Sequence, residues 1–365
     1  MTKAKSRDHK HFQLDSAKIV RAQEALRTKT ETETIERALD LAIEAGWHQQ
    51  LKAHVEYMNS RPNWMYERRY LNDGGFSEFV LTERATSWED FLGWLDKLYG
   101  TWCFRGQRES EWSLQTSLER LIRVSWSRGN SSGVQHLDRK AVGQELLSRF
   151  QRQAPNYVRD LPPSEGASSW LARMQHYGVP TRLLDWTHSP EVAMYFALEE
   201  EPQLGAKRSA IWAIDMDWLK VKEYELPQSD GRAISSAGEA ARMEYLNSLL
   251  GQQEVPLIVR FDPLRPNERM SAQQGLFLWK LFEETPFFDQ ILMTMMIHPE
   301  IPDRPVVRKL EIGRDLRIKF LMKLRENKIH RAALFPDFDG FCQSLKRDLE
   351  IKVKEEEARL SGLDS

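Results

Sequence analysis

Between Lys10 and Asp15 polar and apolar residues alternate, which predicts a short strand with Phe12 and Leu14 on one face and His11 and Gln13 on the other. A helix is predicted from about Asp15 to Leu26, with Ile19, Ala22 and Leu26 sharing a side. Thr30 and Glu33 have capping-box spacing, and Ile35, Ala38, Leu39, Ala42 and Ile43 follow at the steps of an amphipathic helix that Gly46 ends. Residues 47–85 carry no clear period and read as a connector. Beyond them Ser87 is placed to cap a helix bearing Trp88, Phe91, Leu92 and Leu95, and a strand is expected from Thr101 to Phe104. Helices are predicted near 114–124, 139–152, 168–177, from Pro190, and near 236–250, 314–326 and 338–356. Strands are predicted at 181–186, Ser209–Asp215, Pro256–Phe261 and Leu276–Trp279, and the charged tail after Glu350 is expected to fray.

At 365 residues the chain has the length of about two domains. Hydrophobic residues at 41% and charged residues at 29% describe a globular chain able to bury a core. The net charge of -2 gives the whole molecule no bias toward nucleic acid or membrane. The first thirty residues differ, because Lys3, Lys5, Arg7, Lys10, Lys18, Arg21, Arg27 and Lys29 outnumber Asp8, Asp15 and Glu24. A local cationic excess suits phosphate contact, and it equally suits a solvated basic terminus. Cys103 and Cys342 stand far apart without histidine company, which excludes a disulfide framework and zinc spacing. The longest apolar-leaning runs, such as Ile291 to Ile297, fall short of the roughly 18 residues of a membrane span. No signal peptide is legible, and a cytoplasmic protein without metal or membrane partner is expected.

Two stretches carry candidate chemistry: Trp102-Cys103-Phe104-Arg105-Gly106-Gln107, and Gln175-His176-Tyr177-Gly178-Val179-Pro180-Thr181-Arg182-Leu183-Leu184-Asp185-Trp186-Thr187. Arginine, aromatic rings, glycine and small polar groups at this density suit the wall of a ligand pocket better than a core. Arg105 beside a glycine is able to fork onto phosphate while the glycine admits close backbone approach. Tyr177 or Trp186 offers an aromatic wall, and Thr187 a small hydroxyl. Each residue also has a structural reading: Arg105 paired with Asp185, His176 bonded to backbone, Asp185 anchoring Arg182 or Arg105, and Trp112, Trp170 and Trp212 in the core. No nucleophile elbow or P-loop is present.

The two stretches resemble the signature of the FRG-domain family, named for its Phe-Arg-Gly tripeptide. The resemblance extends over roughly residues 86–350, through Ser189-Pro190-Glu191-Val192-Ala193-Met194-Tyr195-Phe196-Ala197, Arg269 to Phe277, and Leu334-Phe335-Pro336-Asp337-Phe338-Asp339-Gly340. A second resemblance is to mono-ADP-ribosyltransferases, whose first strand ends in aromatic-Arg-Gly, whose second leads into a helix, and whose last brings a carboxylate. Phe104-Arg105-Gly106, Asp185-Trp186-Thr187 with its following helix, and the segment 269–277 occupy those places. This resemblance implies an NAD pocket at Phe104, Arg105, Gly106, Gln107, His176, Tyr177, Arg182, Trp186 and Thr187. It also departs from the pattern: Gln273 or Gln274 stands where a glutamate is expected, so Asp185 or Glu268 would supply the carboxylate, with Gln273 positioning the substrate or acceptor.

Residues 1–46 resemble the ribbon-helix-helix DNA-binding module of antitoxin-type repressors. That resemblance implies a homodimer whose paired strands carry His11 and Gln13 to the bases of duplex DNA, with Lys29 and Thr30 at phosphate. A plain helical hairpin is the alternative. The combined expectation is an α+β chain: a ribbon-helix-helix-like arm (1–46), a connector (47–85), a mixed α/β FRG domain akin to the ADP-ribosyltransferase fold (86–350) and a charged tail (351–365). Its function is expected to be an effector of toxin-antitoxin or anti-phage defence type with an NAD or nucleotide pocket. A nucleotide-sensing regulator without turnover and a protein-interaction module stay open beside it.

Overall fold

In a computed structural model the chain divides into two compact units, Met1–Glu67 and Arg68–Ser365. The structure describes residues 19–23, 30–32, 34–35, 80–128, 139–159, 161, 166–201, 207–224, 258–263, 267–280, 285–297 and 305–360. In the first unit residues 19–23 are helical, and so are 31, 32, 34 and 35; Thr30 precedes the latter, and its carbonyl accepts from the Thr34 amide at 3.0 Å. His11, Gln13, Lys29 and the helix expected at 236–250 lie outside the described residues.

The second unit is a mixed α+β fold around a seven-stranded sheet. Its elements are β1 (Val80–Ala85), α1 (Trp88–Leu95), β2 (Trp102–Gln107), α2 (Ser117–Arg128), α3 (Arg139–Gln153), α4 (Ala167–His176), β3 (Leu183–Thr187) and α5 (Pro190–Leu198). There follow β4 (Arg208–Asp215), α6 (Met216–Tyr224), β5 (Ile258–Phe261), α7 (Glu268–Ala272), β6 (Gly275–Lys280), α8 (Phe287–Ile297), β7 (Val307–Gly313), α9 (Arg317–Glu326), α10 (Arg331–Leu334) and α11 (Phe338–Leu360). The strand order is β1-β7-β4-β2-β3-β6-β5, with β1 parallel to β7 and every other pair antiparallel.

Local chemistry sets the helix starts. Ser87 and Asp90 form a reciprocal capping box at α1, and Ser189 accepts from the Val192 amide with Pro190 in the first turn of α5. Thr116 and Glu119 exchange the same pair of bonds at the start of α2. Glu119 also accepts from the buried Lys280 Nζ at 2.5 Å, tying α2 to β6.

Alternation along the strands sorts the core. Phe104, Ile211, Ala213, Leu310 and Ile312 face α1, α5 and α9, whereas Cys103, Trp186, Trp212, Ile214 and Leu278 face α6 and α8. Leu183, Phe277 and Trp279 pack instead with Leu171 and Met174 of α4. Because Phe104 lies opposite Thr187, and Leu183 alternates with Thr187, this third cluster covers the same sheet face as the first. The helices on that face therefore form two groups, and the middle of β3 lies between them.

Several expectations change. Val80–Ala85, read within a connector, is edge strand β1, and β7, α6, α7 and α8 were not predicted. α11 continues as helix through the charged residues after Glu350 to Leu360. Trp112, expected in the core, is 41% exposed with Arg108 over its ring. Among the described residues no helix is long and apolar enough to cross a membrane, and no group of His, Cys, Asp or Glu is placed to hold a metal ion.

Candidate functional site

β3 is an interior strand, bonded to β2 on one side and β6 on the other. Leu183, Leu184, Trp186 and Thr187 are buried accordingly, yet Asp185 is exposed. An exposed carboxylate in the middle of a sheet requires an opening in the helical layer, and the gap between the two helix groups provides it.

The opening continues into the sheet. β2 and β3 pair only at Phe104 and Thr187 and then part. Arg105 spans the split: its Nη1 donates to the main-chain carbonyl of Asp185 at 2.6 Å, while its Nε is buried without a hydrogen-bond partner. Burial pulls the Arg105 pKa down to about 10 against the opposing pull of Asp185, so the guanidinium stays charged at neutral pH.

The Asp185 carboxylate is fixed from α4. Gln175 Nε2 donates to its Oδ2 at 2.8 Å, Thr181 Oγ1 donates to Gln175 Oε1, and the Leu183 amide donates to Thr181 Oγ1. α7 brings a second cation. Arg269 stacks over Phe335 at 4.4 Å, and burial lowers its pKa while Asp185 raises it. Asn267, which caps α7 through the Met270 amide, also bonds His176 Nδ1 at 2.9 Å. Desolvation of the His176 ring, then Arg269 and Arg173, push its pKa below the ordinary histidine value and favour the neutral ring. The Asp185 carboxylate is thus held by Gln175, and its charge acts on both Arg105 and Arg269.

The turn from α7 to β6 docks on the end of β3. Thr187 Oγ1 donates to the Gln273 carbonyl at 2.7 Å and accepts from the Ser189 amide, and the His188 amide donates to the Gln274 carbonyl at 3.0 Å. Gln274 holds a φ of 48°, a left-handed conformation that non-glycine residues adopt at some cost.

Of the residues singled out by sequence, Arg105 bonds the Asp185 main chain, His176 bonds Asn267 at the start of α7, and Thr187 is buried at the end of β3 against the Gln273 turn. Others serve the fold. Phe104 lies in the core beneath α5, and Trp186 is only 3% exposed, which leaves no face for stacking a base. Gln107 is buried, donating to the Ser113 carbonyl and accepting from Trp212 Nε1. Arg182 is buried beside Gly143. Gly106 has a different use from the one expected: a Cβ there would lie 2.0 Å from the Ala193 carbonyl oxygen, so the glycine admits the α5 backbone rather than a ligand. Gln273 donates its side-chain amide to the Leu334 carbonyl at 3.0 Å. Glu268 is exposed in the first turn of α7, and Glu191 accepts from Asn327. Tyr177 is 53% exposed, with Arg173 over its ring at 5.6 Å.

Sequence reasoning did not assign Gln175, Asn267 and Arg269 to the site. Gln175 lies in the second motif, and Asn267 three residues before Met270 has N-cap spacing, so a trace of each was present.

The model of the family described as the FRG domain matches residues 100–205, so an FRG domain is present in this chain. The matched span contains Arg105, Gln175, His176 and Asp185 and ends before β4; Arg269 and the α7–β6 turn lie beyond it. Neither the comparison with curated proteins nor that with solved structures found a match.

Proposed function

We propose that the opening at Asp185 binds a nucleotide of the NAD class and that the chain transfers ADP-ribose from it to an acceptor. The observation that carries this reading is the exposed Asp185 carboxylate in an interior strand, held by Gln175 and flanked by Arg105 and Arg269. The residues fit the ligand. Two guanidiniums match the two charges of a pyrophosphate, and Arg105 stays charged beside the split strands. Cleavage of the nicotinamide bond builds positive charge at the ribose carbon. A preoriented carboxylate is the group that stabilises such charge. In this reading Asp185 faces the reacting carbon, Gln175 holds its carboxylate in place, and Arg105 and Arg269 bind the phosphates. The adjacency of β2, β3 and β6, and the docking of the 273–274 turn on Thr187, support the likeness to transferases whose three elements share one site.

A second reading has its own observation. No carboxylate occupies the 273–275 turn, and the Gln273 side chain is engaged with the Leu334 carbonyl. In that case the site senses a nucleotide without turning it over. In both readings the basic arm of residues 1–46 recognises duplex DNA as a homodimer, by His11, Gln13, Lys29 and Thr30, within a toxin-antitoxin or anti-phage system; the sequence pattern supports that part.

Incubation with labelled NAD and cellular protein, RNA or DNA tests the chemistry. Transfer expects label on an acceptor, abolished in Asp185→Asn with ADP-ribose binding retained. ADP-ribose binding without label or free nicotinamide selects the sensor, and absence of binding refutes both.

A further inference from the structure

We infer that the cavity beside Tyr177 is the base-binding subsite of this same site, taking the adenine of its nucleotide; the inference rests on the reading of the Asp185 opening above. The cavity has a volume of about 450 Å³, within the range of small-molecule sites. Leu146, Phe150 and Val179 line it and pack against the core of the α4 side, which gives it a dry floor. Its mouth carries Tyr157, 84% exposed, and Tyr177, 53% exposed. Exposed rings beside an apolar cavity are the surface on which a planar base stacks, and Arg149 and Arg173 at the rim suit a base that carries phosphates.

Tyr177 is presented rigidly. Gly178 takes a φ of 74°, its amide donates to the Gln175 carbonyl at 3.0 Å, and the Val179 amide donates to the Met174 carbonyl at 2.9 Å. These bonds close α4 in a glycine-terminated cap and fix the backbone that carries Tyr177, whose ring lies beside the Arg173 guanidinium. The same short segment joins both halves of the site. Gln175 holds Asp185, His176 bonds Asn267, and Tyr177, whose ring meets that of His176 at 4.9 Å, lines the cavity. In this inference a dinucleotide with phosphates at Arg105 and Arg269 passes the C-terminal end of α4 to reach this aromatic seat.

The test is titration calorimetry of the full chain with ADP-ribose and with ribose 5-phosphate, which lacks the base. Val158 also lines the cavity, so Val158→Trp, which fills it, and Tyr177→Ala should each weaken ADP-ribose by about tenfold or more, and Tyr177→Phe should not. Ribose 5-phosphate should bind more weakly than ADP-ribose and be indifferent to Val158→Trp. Should Val158→Trp fail to fold, the exposed Tyr177→Ala decides alone. ADP-ribose binding that survives both variants places the base elsewhere and overturns the inference while the Asp185 reading stands. Failure of the wild-type chain to bind either compound overturns both.

Discussion

Gly106 separates two uses of the Phe-Arg-Gly tripeptide, and Gly106→Ala tells them apart. A methyl group there meets the Ala193 carbonyl oxygen at 2.0 Å, the Ala197 nitrogen at 2.5 Å and the Phe196 carbonyl carbon at 3.0 Å, all main-chain atoms of α5. Ordinary contact between heavy atoms begins near ~3.5 Å, so α5 has to retreat by roughly 1.5 Å. That helix is anchored by Val192, Ala193 and Ala197, each wholly buried, and has no flexible side chain to yield in its place. Overpacking costs about 1–3 kcal/mol where side chains adjust, and a clash with backbone belongs at or above the top of that range. A loss of about 3 kcal/mol lowers the melting temperature by roughly 6–12 °C in a domain of this size class. Denaturant titration and thermal melting followed by circular dichroism give both quantities. A Gly106→Ala protein as stable as wild type, with ligand binding lost, would refute the packing argument and return the glycine to the ligand.

Three further outcomes follow from buried polar groups. Burial, then the charge of Glu119, raise the Asp289 carboxyl to a pKa of about 7, so the folded chain holds a proton that the unfolded chain releases near ~4. The contribution of Asp289 to stability should fall as pH rises from about 4 to 7 and level off above, and Asp289→Asn should remove that component of the slope in melts across the window. Lys280→Met leaves Glu119 uncompensated beneath the sheet and should cost about 3–5 kcal/mol in denaturant titration, more than Glu119 and Lys280 replaced together by apolar residues. Cys103 is buried with its thiol pKa pushed up, whereas Cys342 is exposed, so a thiol reagent should label Cys342 alone in the folded chain and both in denaturant.

Sequence patterns were informative where one physical requirement dominates. Ser87, Ser189 with Pro190, and the apolar steps of α1, α3, α4 and α5 announce helices that the structure contains. β1 and β7 escaped because Glu83, Arg84, Lys309 and Glu311 interrupt their apolar alternation; Arg84 pairs with Glu311 and Arg308 with Glu83 across the ladders, charges that only the tertiary fold reconciles. The short α7 offered too few residues for a period. At the site, Arg105 and Asp185 stand out as charged residues within otherwise apolar strands. Their true contact, guanidinium to main-chain carbonyl, depends on β2 and β3 parting after Phe104, which no residue pattern encodes. Aromatic residues misled most. Trp186 has the composition of a pocket wall and lies in the core, while Tyr177, nine residues earlier, is the ring left exposed.

Binding of ADP-ribose by the wild-type chain and by Arg105→Ala, measured in one calorimetric series, decides whether the opening at Asp185 is a nucleotide site. One molecule should bind per chain, with an affinity weakened by at least about tenfold in the variant through the loss of a charge-assisted hydrogen bond to phosphate. Equal affinity in both, or no binding to a folded wild-type chain, would contradict that assignment.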